Sequence, residues 1–331
     1  MRKKIKIDFV DFWPDLVKTD NYFFNSLDRY YDVEISSDPD YVFCSYFSND
    51  HLQYKNCVKI LFMGENLVPD FNLYDYAAGF HYIDFEDRYL RLPLYVLYSQ
   101  HYDGFFKKHT HEDGYYLSKK KFCNCVISNP FADEARDEMY SLLNSYKRID
   151  CGGRYHNNVG GPVKDKIAFE KEYRFTMAFE NASTPGYTTE KIFEAFAGDT
   201  VPIYWGNPRI AGEFNPDSFI NCHAFPDMAS AVARVKEINE NDELYLKMIK
   251  APALNKDSLA SKYLKEGYAD SFLRHIFDQA PEAAIRRNMV YVGLKYQERN
   301  LSSERFQNTM DLVRKPVHLI KKTISQKLSD K

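Results

Sequence analysis

The chain has 331 residues, 44% hydrophobic and 27% charged, with only 14 Gly and 14 Pro, which excludes collagen-like and low-complexity classes. Its formal charge of −3 argues against bulk nucleic-acid binding. The length predicts about two domains. Residues 4–9 (KIKIDF) alternate and are predicted as a first strand. Short apolar segments follow at 33–35 and 41–45. Residues 58–63 (VKILFM) form a further strand that ends at Gly64-Glu65-Asn66, and 74–80 is another apolar stretch. The polar stretch 101–121 breaks the pattern and reads as a linker. Its pair His109 and His111 is open to two readings, a metal-ligand pair or a solvated loop. A strand is predicted over 122–128 and a helix over 132–146, with Arg136 in its first turns. Residues 173–179 are a strand and 188–197 a helix capped by Thr188 or Thr189. Residues 201–205 (VPIYW) are a buried strand closed by Gly206, with Tyr204 and Trp205 read as core. Strand–turn–helix units in both halves predict an α/β protein, two parallel sheets with a ligand cleft between them.

The six cysteines include only one close pair, Cys123 and Cys125, and C-x-C is not zinc spacing. A reducing compartment is expected. The basic N-terminus has no long apolar stretch, so no signal peptide is expected, and no run of about 18 apolar residues predicts a membrane span. The dinucleotide, P-loop and G-x-S-x-G motifs are all missing. Asp38-Pro39-Asp40 has a metal-binding D-x-D form, but it precedes a strand and reads as a turn.

The segment 175–208 carries the most information. It reads as strand, polar loop, helix and buried strand. Glu190 and Lys191 fall in the first helical turn, where the dipole favours acids over a lysine. A bound polyanion resolves that conflict, because helix N-terminal amides and a nearby Lys together suit phosphate. A solvent-exposed Glu–Lys pair is the alternative. Arg136 has the fork geometry to bind a diphosphate from the other side.

The stretch Glu180-Asn181-Ala-Ser-Thr-Pro-Gly186-Tyr187-Thr-Thr189-Glu190-Lys191-Ile, followed by Val-Pro-Ile-Tyr-Trp-Gly at 201–206, resembles the signature of the α-1,3-fucosyltransferases. A second block, Gly64-Glu65-Asn66 through residues 70–76 and 87–93, is similar to the N-terminal half of the bacterial members of glycosyltransferase family 10, those of Helicobacter included. The likeness covers roughly residues 40–225, without the heptad repeats of the Helicobacter enzymes. It implies an inverting transferase of GT-B architecture, two Rossmann-like domains facing across a cleft. The implied acceptor-binding domain is 1–115 and the implied GDP-fucose-binding domain is 116–285. It further implies Glu65 as catalytic base, and Arg136, Asn181, Tyr187, Thr189, Glu190 and Lys191 as donor-binding residues, with Glu180 and Gly186 in support. No metal and no obligatory cofactor is implied beyond GDP-fucose as donor substrate. The implied acceptor is a β-galactosyl-GlcNAc or -glucose unit, fucosylated at the 3-hydroxyl of GlcNAc or glucose, as in Lewis-type glycans. Two rival readings stand beside it: a GT-B transferase using another nucleotide sugar, and a non-catalytic glycan- or nucleotide-binding protein.

Residues 286–331 carry eleven Lys or Arg against four Asp or Glu, which leaves residues 1–285 at −10. In 312–331 the residues Val313, Val317, Ile320, Ile324 and Leu328 recur at helical steps, with lysines on the other faces. That basic amphipathic pattern is expected to contact an anionic membrane surface, and the alternatives are packing on the body or disorder. Such an enzyme is expected in the bacterial cytoplasm, peripheral on the inner face of the cytoplasmic membrane.

Overall fold

The computed structural model describes residues 2–107, 110–307 and 310. His109 and the predicted amphipathic tail, 312–331, lie outside the described residues. Two all-parallel sheets organise the chain. The first comprises β1 (Lys4–Val10), β2 (Asp32–Ile35), β3 (Tyr41–Cys44), β4 (Val58–Phe62), β5 (Tyr76–Gly79) and β6 (Tyr89–Arg91) in the order 2-1-3-4-5-6. The second comprises β7 (Lys121–Cys125), β8 (Ile149–Cys151), β9 (Tyr173–Phe179), β10 (Val201–Trp205) and β11 (Ile220–Asn221) in the order 11-10-9-7-8. Strands covered on both faces read as near-continuous apolar runs, as in YVFC and VPIYW, both buried throughout, and in VKILF, where Lys59 is buried with the rest. Two facing parallel sheets match the GT-B architecture expected above.

The helices include α1 (Tyr22–Asp28), α2 (Tyr102–Lys107), α3 (Asp113–Leu117), α4 (Ala135–Tyr146), α5 (Lys166–Glu170), α6 (Lys191–Ala197), α7 (Met228–Glu240), α8 (Asp242–Ile249), α9 (Ala260–Tyr263), α10 (Asp270–Phe277) and α11 (Pro281–Ala284). Each sheet has a switch point, and in open α/β sheets ligands bind outside the carboxyl ends of the strands there. In the first sheet it falls between β1 and β3, in the second between β7 and β9. Helix α4, which carries Arg136, and the loop 180–190 both follow strands flanking the second switch point.

Three expectations need correction. The stretch 101–121 is no bare linker, since it holds the helices α2 and α3. Phe105 of α2 stacks on Phe193 of α6 with ring centroids 4.3 Å apart, and Tyr116 of α3 is fully buried. Flanking lysines and histidines hide these two anchors in a sequence scan. His111 of this stretch lies beside Asp199, and its ring is 4.1 Å from that of Tyr115 at a tilt of 32°.

The second correction concerns the domain limits. A single core joins Ile7, Phe43 and Phe62 of the first sheet to Phe193 and Phe196 of α6 and to Leu273, Ile276 and Phe277 of α10. The Phe277 ring lies 4.3 Å from that of Tyr41, and Lys3 Nζ donates to the Phe277 and Gln279 carbonyls. The chain thus returns to the first sheet before residue 285. The apolar stripe of α10 is the physical reason, because it needs a partner and finds it there. Past that point Arg287 is fully buried and ion-paired with buried Asp75, while Arg286 pairs with Asp87 at 2.7 Å. The start of the basic segment 286–331 is therefore strapped to the first sheet.

The third correction is local. Neither Thr188 nor Thr189 caps α6, whose N-cap is Glu190 with no side-chain cap bond. Both threonine hydroxyls are committed to buried glutamates instead.

Candidate active site

At the second switch point β9 ends and Glu180 turns inward, fully buried. Its carboxylate accepts from the Thr189 amide and hydroxyl, both at 2.7 Å, and from Lys191 Nζ at 2.9 Å. Burial pushes the Glu180 carboxyl up, and Lys191 pulls against it. Lys191 Nζ also reaches Thr189 Oγ1 at 3.0 Å. Burial works against the Lys191 charge, but Glu180 and Glu190 outweigh it and hold the ammonium above its ordinary value. Burial likewise opposes ionisation of Glu190, yet Lys191 and Lys166 hold that carboxyl below the usual range. Glu180 thus ties the loop together through Thr189, and Lys191 is held charged at its edge.

Gly186 has φ of +96°, and a Cβ there would meet the Phe80 carbonyl oxygen at 2.4 Å. Only glycine fits this left-handed, closely approached position. Arg136 sits in the first turn of α4 at 2% exposure. Its Nη2 donates to the Asn129 and Pro130 carbonyls at 2.9 and 3.1 Å, and its guanidinium lies 5.4 Å from the Tyr155 ring centroid. Burial lowers the hold on its proton. Its loop touches the motif directly, where the Asp133 amide donates to the Asn181 carbonyl at 2.9 Å. Asn181 is half-buried at that junction.

Glu65 follows β4 at a carboxyl end of the first sheet. Its Oε1 accepts from the Tyr46 hydroxyl at 3.0 Å and its Oε2 from the Tyr187 hydroxyl at 3.3 Å. Asn66 adds a second bridge between the halves, donating from Nδ2 to Thr184 Oγ1 at 2.9 Å. Burial pushes the Tyr187 phenol up, with Glu180 and Glu65 adding to it, so it is a donor to Glu65 at neutral pH. Glu65 lines a cavity of about 630 Å³ with Trp13, Tyr22, Tyr46, Phe47 and Tyr98. That volume is in the range of small-molecule sites. A carboxylate among aromatic rings suits a sugar, whose C–H faces stack and whose hydroxyls need an acceptor.

The structure thus brings Glu65, Tyr187, Glu180, Thr189, Glu190 and Lys191 to one cleft, with Arg136 and Asn181 at its border. Sequence reasoning missed the aromatic wall, because Trp13, Phe47 and Tyr98 come from separate loops. The surplus of tyrosine, 26 residues, was the one available signal. It also missed Arg91, Asn207 and Glu213, which brace the loop from below. Among the described residues no three His, Cys, Asp or Glu side chains come together as a metal-ion site.

A cleft between two parallel sheets, a base candidate on one side and a charged loop on the other define a glycosyltransferase of the GT-B class. Residues 7–98 match the family description "Alpha-(1,3)-fucosyltransferase FucT N-terminal domain", and residues 116–251 match "Glycosyltransferase family 10 (fucosyltransferase) C-term". The chain belongs to glycosyltransferase family 10, the fucosyltransferases. Alpha-(1,3)-fucosyltransferase FucT of Helicobacter pylori is 37% identical over 234 residues, covering 62% of this chain and 49% of that protein. Putative fucosyltransferase R654 of Acanthamoeba polyphaga mimivirus is 29% identical over 187 residues, covering 52% of this chain and 30% of the other. The chain spans about half, or less, of the length of these curated relatives. A crystal structure of an alpha1,3-fucosyltransferase superimposes with TM-score 0.75 at 28% identity, covering 88% of this chain and 93% of that one. An alpha1,3-fucosyltransferase crystallised with GDP-fucose gives 0.70 at 28% identity, covering 87% and 94%.

Proposed function

We propose that the chain transfers L-fucose from GDP-fucose to a sugar hydroxyl held beside Glu65, with inversion at the anomeric carbon. The observation that carries this reading is the 3.3 Å hydrogen bond from Tyr187 to Glu65, which joins the polar loop to a carboxylate lining an aromatic cavity. The solved alpha1,3-fucosyltransferase with GDP-fucose supports the identity of the donor. Glu65 takes the proton of the acceptor hydroxyl as that oxygen bonds to fucose C1. The bond from C1 to the β-phosphate oxygen breaks, and GDP leaves with the added negative charge. Lys191, held by Glu180, and Arg136 meet that charge. The acceptor is a β-galactoside bearing GlcNAc or glucose, attacked through its 3-hydroxyl. The tail 312–331, by its basic amphipathic pattern, contacts an anionic membrane on the cytoplasmic face, and its deletion lowers sedimentation with anionic vesicles while soluble-acceptor turnover persists.

The test is GDP release from GDP-fucose in EDTA, with lactose and with N-acetyllactosamine, followed by product linkage by NMR. The expected result is acceptor-dependent release with an α-1,3 product. Tight GDP-fucose binding without release on any acceptor would replace transfer with a binding role.

A further inference from the structure

Glu213 follows the turn after β10 and is fully buried. Its carboxylate gathers donors from both halves of the molecule. From the first half come Arg91 Nη2 at 2.5 Å, the Tyr82 hydroxyl at 2.9 Å and the Tyr95 hydroxyl at 3.0 Å. From the second come Asn207 Nδ2 at 2.7 Å and the Thr188 hydroxyl at 3.1 Å. Arg91 ends β6, and it serves more than the ion pair. Its Nε donates to the Phe80 carbonyl at 2.9 Å and its Nη2 to the Gly186 carbonyl at 3.0 Å. Asn207 closes the ring: its Oδ1 accepts from the Gly186 amide at 2.9 Å, and its Nδ2 donates to Thr188 Oγ1 at 3.0 Å.

The consequence is specific to three residues. Gly186 is held at both its amide and its carbonyl, and Thr188 is held by its hydroxyl. Tyr187 stands between them, and its hydroxyl is the group that donates to Glu65. A network that only joined the halves would have no need to grip both peptide groups flanking Gly186 and the hydroxyl of Thr188 as well. Hydrogen-bonded buried networks rigidify what they hold, and here Arg91 Nη1 is the guanidinium nitrogen left without a hydrogen bond.

We propose that Glu213, through its pair with Arg91, is a positioning residue that sets loop 186–188 and thereby aims the Tyr187 hydroxyl at Glu65. This rests on the reading of Glu65 as the base. Glu213 touches neither substrate, and it acts through the loop. A misplacement of about 1 Å at a reacting centre costs on the order of 10²-fold in rate.

The test compares Glu213→Gln with Arg91→Lys, which keeps a cation beside Glu213 but loses the fork that reaches Gly186. Both should lower kcat, Glu213→Gln by about 10²-fold, with smaller changes in KM for GDP-fucose. Hydrogen exchange should rise in peptides covering 184–189 and stay unchanged in β9. In a Tyr187→Phe background, Glu213→Gln should add little further loss, since the two act in series. An effect confined to KM, additive losses in the double variant, or faster exchange across both sheets with kcat retained would each overturn the positioning role. The exchange measurement stands without turnover. Glu65→Gln is measured alongside: full activity in that variant would overturn the base reading, not the hold of Glu213 on the loop.

Discussion

On the proposed donor side the functional groups other than Arg136 come from one stretch, residues 180–191, while the acceptor cavity draws on loops near residues 13, 22, 46, 65 and 98. The donor stretch is polar, buried at residue 180 and at 186–189, and already paired within itself, as Glu180, Thr189 and Lys191 show. The acceptor wall is aromatic and open, with Glu65 as its candidate base. A common donor asks for one fixed set of charges, and a short loop supplies them. A variable acceptor asks for surface, and separate loops can change one at a time. The two sides meet at the hydrogen bond from Tyr187 to Glu65.

Four substitutions would break or sharpen that contrast. The largest effect is expected at the meeting point. Glu65→Gln should lower kcat by roughly 10²–10⁴-fold and leave GDP-fucose affinity nearly intact, and a near-normal rate in a GDP-release assay would remove Glu65 as base. On the donor side, Lys191→Ala should weaken GDP by roughly 10- to 10²-fold, the size of a hydrogen bond to a charged group. Titration calorimetry reads this directly, and an unchanged affinity would sink the phosphate assignment.

On the acceptor side, Trp13→Ala should raise the acceptor KM by up to about tenfold, the scale of one aromatic contact, and leave GDP binding alone. A shift in GDP affinity instead would show that the two sides are not separable. The smallest effect belongs to Glu170, buried under the end of α6. Burial pushes its carboxyl up to about 8 against the pull of Lys166, with Glu194 and Glu190 adding to the rise. The folded state holds a proton that the unfolded chain releases near 4.5. Its contribution is therefore complete below that pH and is lost as pH rises toward about 8. Glu170→Gln should remove the slope and raise the urea midpoint at pH 8, and an unaltered slope would assign the effect to another group.

The chain by itself determined the α/β class, the strands through near-continuous apolar runs, and the donor motif through a contiguous polar loop. It also put Glu65 just past a buried strand, where such sheets place their ligands, and the resemblance to the fucosyltransferases singled it out as the base. These features are local, so spacing and composition carry them. Other features depend on contacts between residues far apart in the chain. Only the tertiary structure decided that Phe105 and Tyr116 turn the apparent linker into two packed helices. The same is true of the return of α10 to the first sheet and of the aromatic wall around Glu65. The clearest case is Glu213, an acidic residue in an unremarked turn. Arg91 lies 122 residues away in the chain, and the fold makes the two partners, because a carboxylate stripped of water needs its donors wherever the sheets supply them.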